Sequence, residues 1–293
     1  KRNLDALTTD YYNWNHRLLP MIMVFAGRVD LNSVTSPTQK VWAGEGVTPV
    51  VLVHTDWTWS DTDKYLGIKG GKARSSHAQM DAGSFVYDAY GVRWSMDIGR
   101  QDYATLEVAL KALGGNLWTY TQASLRWEVS RLNNFFHSTL TVNDAKHRVE
   151  GFATLEQTIN TATEQGGTFD LSPVLEDQVA SAMRTVKIVN DKDLKVIDAI
   201  RTRTDRSAKI RWTMVTPAAP AVENDRIVLT SNGKTMYLTA AEEGGTQIVY
   251  KTFSTDPVHS YDDPNPGIYL VGFEATVPAD KWATFTTTLS PGN

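Results

Sequence analysis

From Pro49 onward the chain is written in short runs of β-branched and aromatic residues, each ended by Gly, Asn, Asp or Pro, at a spacing of roughly ten residues. Residues 50–54, 65–69, 84–88, 92–97 and 138–142 open the series. Residues 185–190, 194–200, 210–215, 226–230, 235–238, 248–253, 268–273 and 282–288 continue it. The punctuation between them, such as Asn190-Asp191, Ser231-Asn232-Gly233 and Glu243-Gly244-Gly245, is of the residue types that reverse an extended chain. Strands this short are not stable alone, so they must pair, and many at this spacing make antiparallel sheets packed face to face. The expected fold is mainly β: a large antiparallel sandwich, interrupted by one helix at 103–113. Trp94, Trp127, Trp212 and Trp282 are its expected aromatic filling.

The first residues follow a different period. Leu4, Leu7, Tyr11, Trp14 and Leu18 recur at spacings of three and four, one face of an amphipathic helix. A second short helix is expected at 20–26, where Pro20 suits a first turn. The chain therefore divides into a helical segment with its linker, 1–45, and a β domain, 46–293. Pro-Ala-Ala-Pro at 217–220 is the best internal linker candidate, but the β pattern resumes at once, so one continuous domain is expected. A helical start on a large sandwich, with an apolar face that needs a partner, reads as the end of a preceding helical domain.

Composition excludes some functions. With 29 basic and 33 acidic residues the net charge is −4, which makes no electrostatic case for nucleic acid or an anionic membrane. There is no cysteine, hence no disulfide, thiolate chemistry or Cys-ligated zinc. The longest apolar run, 18–26, is too short to span a bilayer and contains Pro20.

Six histidines are present, and a histidine on a β surface is more often a satisfied polar residue than a catalyst. His77 has more context than the others. It follows the turn Lys69-Gly70-Gly71, and in an extended segment His77, Gln79 and Asp81 would share one face, a site-like cluster of imidazole, amide and carboxylate. A polar surface strand leading into a buried one is the plainer reading. Asp81 could orient His77 or cap the following turn. Arg100 and Tyr103 follow Asp97 closely and are candidates for the same cleft, or for a solvated turn and a helix-start packing residue. Trp57 and Trp59, with Tyr65, could offer a pyranose ring an apolar platform, or fill the core.

The blocks Tyr65-Leu66-Gly67-Ile68-Lys69-Gly70-Gly71, Ser76-His77-Ala78-Gln79-Met80-Asp81-Ala82-Gly83-Ser84-Phe85, Gly91-Val92-Arg93-Trp94-Ser95-Met96-Asp97-Ile98-Gly99 and His137-Ser138-Thr139-Leu140-Thr141-Val142-Asn143, in this order, resemble the heparinase II/III-like polysaccharide lyases. The resemblance implies the C-terminal β-sandwich of a bacterial, periplasmic or secreted enzyme. Residues 1–26 would then be a remnant of its N-terminal α/α toroid, the intramolecular partner domain. It implies β-elimination on an acidic polysaccharide or oligosaccharide such as heparan sulfate, with His77 as the catalytic histidine of the family's His-x-His-x-Asp motif. The second histidine of that motif falls at Gln79. That position usually ligates a structural zinc, with partners matching Asp97 and His137. Gln79 offers a neutral amide oxygen instead. Zinc with a weak third ligand, another cation, and a metal-free hydrogen-bonded site are the arrangements this set allows. The catalytic tyrosine and the group that neutralises the substrate carboxylate would come from the helical domain, which implies a chain incomplete as an enzyme on its own. The alternative is a sandwich that binds glycan, or serves structurally, without chemistry.

Overall fold

The computed structural model describes residues 19–292 except Leu31 and Trp59, so the helix expected through Leu4 and Leu18 lies outside the described residues. The chain forms two units, 1–39 and 40–293. In the first, helix α1 (Leu19–Ala26) carries Pro20 in its first turn.

The second unit is built of antiparallel sheets. A five-stranded meander runs β1 (Val41–Gly44), β2 (Val50–His54), β3 (Tyr65–Lys69), β4 (Phe85–Ala89) and β5 (Val92–Ser95), in chain order. Strand β1 falls in the segment expected to be linker. Strand β6 (Leu140–Val142) joins a four-stranded sheet, and β7 (Thr154–Asn160) and β8 (Glu164–Asp170) begin an eight-stranded one. The long hairpin β9 (Ser181–Val189) and β10 (Asp193–Arg201) follows, then β11 (Ala208–Thr216), β12 (Ala219–Val222), β13 (Ile227–Ser231), β14 (Lys234–Glu242), β15 (Val249–Phe253), β16 (Tyr269–Val277) and β17 (Trp282–Pro291). The four-stranded order is β15-β16-β11-β6, and the eight-stranded order is β12-β13-β14-β17-β10-β9-β8-β7. The five- and four-stranded sheets meet where the Met96 N–H donates to the Val215 carbonyl at 2.9 Å.

Period-two alternation puts these strands where they are. In β9 Ala182, Arg184, Val186 and Ile188 are buried while their neighbours are half-exposed, and β10 repeats the pattern. Asn190 and Asp191, in the three-residue turn between them, both adopt positive φ (53° and 48°), and Lys192 N–H donates to Val189 O at 3.0 Å. Tyr90-Gly91 and Asn232-Gly233 adopt positive φ as well. The inward residues form one cluster across all three sheets, including Val51, Tyr87, Phe169, Val186, Trp212, Phe273 and Phe285. Trp212 stacks on Phe273 at 5.8 Å, and Phe273 meets Phe285 at 5.7 Å across the sandwich.

Trp94, Trp127 and Trp212 are fully buried, but Trp282 is 62% exposed. It stands in the outward phase of β17, whose inward residues are Ala283 and Phe285. The 217–220 segment is not a linker: it enters β12, an edge strand, where Pro220 is tolerated. Between β5 and β6 the chain leaves the sheets as helix α2 (Tyr103–Ala112), N-capped by Asp102 through Thr105 N–H, and three single 3₁₀ turns. These bury a second cluster, including Met80, Leu106, Leu110, Trp127 and Leu132.

Candidate functional site

The segment between β3 and β4 is not extended. His77 sits at φ 61° in a surface loop, so the expected shared face of His77, Gln79 and Asp81 does not form: the three are exposed, half-buried and buried in turn. Loop contacts override the alternation. The buried Arg126 guanidinium donates to the Ala78 carbonyl at 2.8 Å and to the Leu117 carbonyl at 3.0 Å, and the Met80 N–H donates to Leu132 O at 2.9 Å. Gly83 closes the loop at φ 77°, where a Cβ would meet Leu171 at 2.8 Å.

His77 is thereby presented among aromatic residues of the α2 region. Its ring lies near-parallel to that of Tyr103 at 5.4 Å and edge-on to Trp118 at 5.2 Å, while its backbone N–H donates to the Tyr120 hydroxyl at 3.1 Å. Trp118 stays 39% exposed, with its indole N–H on Glu107. An exposed imidazole beside the exposed Trp118 and the half-buried Tyr103 can exchange a proton with a bound sugar ring, and the indole can stack against it. Tyr103 was legible as a candidate; Trp118 and Tyr120, in an aperiodic stretch, were not. Arg100 is exposed and enters this region through its carbonyl, which accepts from Arg131.

Behind the loop Asp97 and His137 come together. His137 Nδ1 lies 2.9 Å from Asp97 Oδ2, and the Gly99 N–H donates to Asp97 Oδ1 at 2.7 Å. Burial works against the Asp97 charge, but His137 and these hydrogen bonds outweigh it and hold the carboxyl down to about 2. For His137, burial opposes protonation, yet the charge and hydrogen bond of Asp97, aided by Asp81, raise its pKa. Its Nε2 is buried without a partner. Asp81 neither orients His77 nor caps the turn through its side chain: both its oxygens accept from Lys69 Nζ at 2.7 Å. The Arg184 guanidinium, held by Asp198 at 2.7 and 3.0 Å, donates to the Gly83 and Ser138 carbonyls, tying the Asp81 and His137 segments to the core.

These residues fit a zinc poorly. Two ligands on one tetrahedral zinc stand about 3.3 Å apart at the usual bond lengths. The 2.9 Å between Asp97 and His137 is hydrogen-bond contact. Half-buried Gln79 makes no hydrogen bond to either, and among the described residues no group of three His, Cys, Asp or Glu side chains is arranged for a metal.

Trp57 belongs elsewhere. It stacks on His54 at 4.0 Å and meets Trp42 edge-on at 4.8 Å. His54 is hydrogen-bonded to Asp63 at 3.0 Å, and both line a cavity of about 470 Å³ with Tyr65, Asp88 and Arg93. His54 pairs with Tyr65 at the start of β3, whereas Lys69 is at its end, about 13 Å away at the rise of a strand. Trp59 lies outside the described residues.

No curated protein matches this chain by sequence. Among solved structures, the heparan sulfate lyase HepC of Pedobacter heparinus is similar over 95% of this chain and 41% of its own, at 15% identity and TM-score 0.66. A mutant of the same lyase gives 94% and 40%, at 16% identity and TM-score 0.64. A heparinase III gives 88% and 38%, at 14% identity and TM-score 0.59. The chain thus spans about two fifths of the length of these lyases, and at such identity the likeness is one of fold. The family described as heparinase II/III-like, C-terminal, matches residues 50–279, which hold the His77 loop, the Asp97–His137 pair and fifteen of the seventeen strands of the described residues in full. The chain belongs to the heparinase II/III-like C-terminal family.

Proposed function

We propose that this chain forms the sandwich side of a polysaccharide lyase that cleaves uronic-acid-containing glycans, heparan sulfate-like ones among them, by β-elimination. The observation that carries the reading is the presentation of His77 on a pinned loop, open to solvent and flanked by Tyr103 and Trp118. In β-elimination a base takes the C5 proton, the bond from C4 to the glycosidic oxygen breaks, a C4–C5 double bond forms and the leaving oxygen gains a proton. An imidazole is suited to the first transfer, because its charge changes near neutral pH. His77 acts as base or places the sugar, Tyr103 and Trp118 stack against it, and Arg100 meets an acidic substituent. The donor to the leaving oxygen and the neutraliser of the uronate carboxylate come from a helical domain like the one in the remainder of such lyases. A periplasmic or secreted bacterial setting goes with this reading. No helix among the described residues is long and apolar enough to cross a membrane.

The test compares the protein joined to its helical domain with its His77→Ala variant. Loss of unsaturated product, read by ultraviolet absorbance, with glycan binding retained is the expected result. Unchanged product release would overturn the reading. The chain alone is expected to release little or none. A second reading, a glycan held without chemistry, is favoured by the cavity lined by His54, on whose ring Trp57 stacks; Trp57→Ala would then weaken binding and His77→Ala would not.

A further inference from the structure

We propose that two internal pairs, the Lys69 ammonium on Asp81 and the His137 imidazole on Asp97, balance the carboxylates of this site, so that it keeps its charge without a metal. This rests on the family assignment and not on the lyase reading; metal content reads one and product release the other.

The local backbone puts Lys69 there. As the last residue of β3 it donates its N–H to Ser84 O at 3.1 Å and accepts from Gly83 N–H at 2.8 Å, which sets its side chain beside the loop that carries Asp81. Its Nζ contacts both Asp81 oxygens at 2.7 Å, with side-chain exposures of 31% and 12% for the pair. Each carboxylate therefore already has its own partner, Asp81 an ammonium and Asp97 an imidazole.

Ligand chemistry agrees. A divalent ion at this place would have to displace the ammonium from Asp81, leaving a partly buried cation unpaired. It would also have to break the Asp97–His137 hydrogen bond or settle for His137 Nε2. In return it would gain only a neutral amide oxygen from Gln79. With a histidine in place of Gln79 a second nitrogen would be on offer, and with a neutral residue in place of Lys69 the Asp81 carboxylate would be released. The cation and the amide together suit a site that keeps its charge balance without metal.

The experiment uses the full chain, stripped with a chelator and titrated with zinc chloride, with elemental analysis after dialysis. The wild-type protein is expected to retain well under one zinc per chain, and the double variant K69M/Q79H close to one. Wild-type protein that retains one zinc per chain, and loses it on Asp97→Asn, overturns the proposal. Lys69→Met alone is expected to lower the melting temperature by about 5 °C, from the size of a partly buried ion-pair loss, with Lys69→Arg recovering part of it. A Lys69→Met protein that melts with the wild type also overturns it.

Discussion

His77 is held at φ 61°, a left-handed conformation that costs a residue with a Cβ roughly 1 kcal/mol. The loop maintains it through the Tyr120 hydroxyl and the anchors at Ala78 and Met80, and the result is an imidazole that stands out from the surface. Glycine adopts this conformation without strain. His77→Gly is therefore expected to match or exceed wild-type stability by up to about 1 kcal/mol in urea unfolding, while abolishing the proposed lyase activity when the chain is joined to the proposed helical domain. A stable, inactive variant would mark the strain as serving function. A second histidine makes a prediction about stability alone. His147 Nε2 donates to Leu140 O at 2.7 Å, and its buried Nδ1 has no partner. Burial leads in pushing its pKa down to about 4, with the nearby His137 charge adding to it. The unfolded chain thus binds a proton below about 6.5 that the folded one refuses until about 4. Stability that is complete above 6.5 should fall by about 3 kcal/mol as pH drops through that window. His137, raised in the fold, has its stabilisation complete below 6.5 and lost only as pH climbs above it, and Asp97 loses its own between about 4 and 2. Urea midpoints between pH 7 and 4 should therefore slope in the wild type and flatten in His147→Phe.

Strands were legible where apolar alternation was clean, and the exceptions have physical causes. Residues 185–190 stood out in the sequence, but β9 starts four residues earlier, at Ser181, because its inward position 184 is an arginine. Arg184 and its partner Asp198 are both fully buried, a charge pair in a place that pattern reading reserves for apolar side chains. Strands β7 and β8 were not foreseen either: β7 is largely exposed and polar, and β8 carries Gly166 and Gly167, where a Cβ would meet Val186 O at 2.0 Å or Val51 at 2.8 Å. The Asp97–His137 pair was recoverable from the resemblance, since both lie in matching blocks. The Lys69–Asp81 pair was not, because nothing in the sequence says which of two carboxylates an ammonium will face. Arg184 joins these observations, since it fixes both site segments through the Gly83 and Ser138 carbonyls. Arg184→Met leaves Asp198 buried and uncompensated, at an expected loss of about 3–5 kcal/mol in urea unfolding. The double variant R184M/D198L should recover most of that stability, since a well-packed apolar pair often replaces a buried ion pair at little cost. The two carbonyls would remain without their donor, so the double variant is expected to regain stability but not full lyase activity.

The described residues have one sandwich core, a second cluster beneath the segment between β5 and β6, and a small third one of Ile98, Phe136, Val215 and Leu270, and the candidate site lies among them. Asp97, His137 and Lys69 stand on strands or next to them, backed by the core, whereas Tyr103, Trp118 and Tyr120 belong to the second cluster's side. That side has little regular structure: one ten-residue helix, single 3₁₀ turns, and few backbone ladders. It is attached mostly through side chains rather than ladders: Arg126 to the Ala78 carbonyl, Gln122 to His147 O and Val149 N–H, Ser130 N–H and Oγ to Asp262 at 3.0 and 2.7 Å, and Arg131 to Asn265. A region with a small core and few ladder hydrogen bonds opens locally at lower free energy than the sheets it rests on. Amide exchange over 103–132 is thus expected to proceed through partial openings, at least tenfold faster than in β9, β10 and β17, the slowest strands. The aromatic neighbours of His77 would then be its adjustable part, and the Asp97–His137 and Lys69–Asp81 pairs its fixed part. Binding should couple to this difference: an acidic oligosaccharide stacked on Trp118 and Tyr103 must slow exchange over 103–132 and leave the β9–β10 hairpin unchanged. Slowing confined to the His54–Trp57 end of β2 would move the glycan to the other cavity and favour a binding role over a lyase.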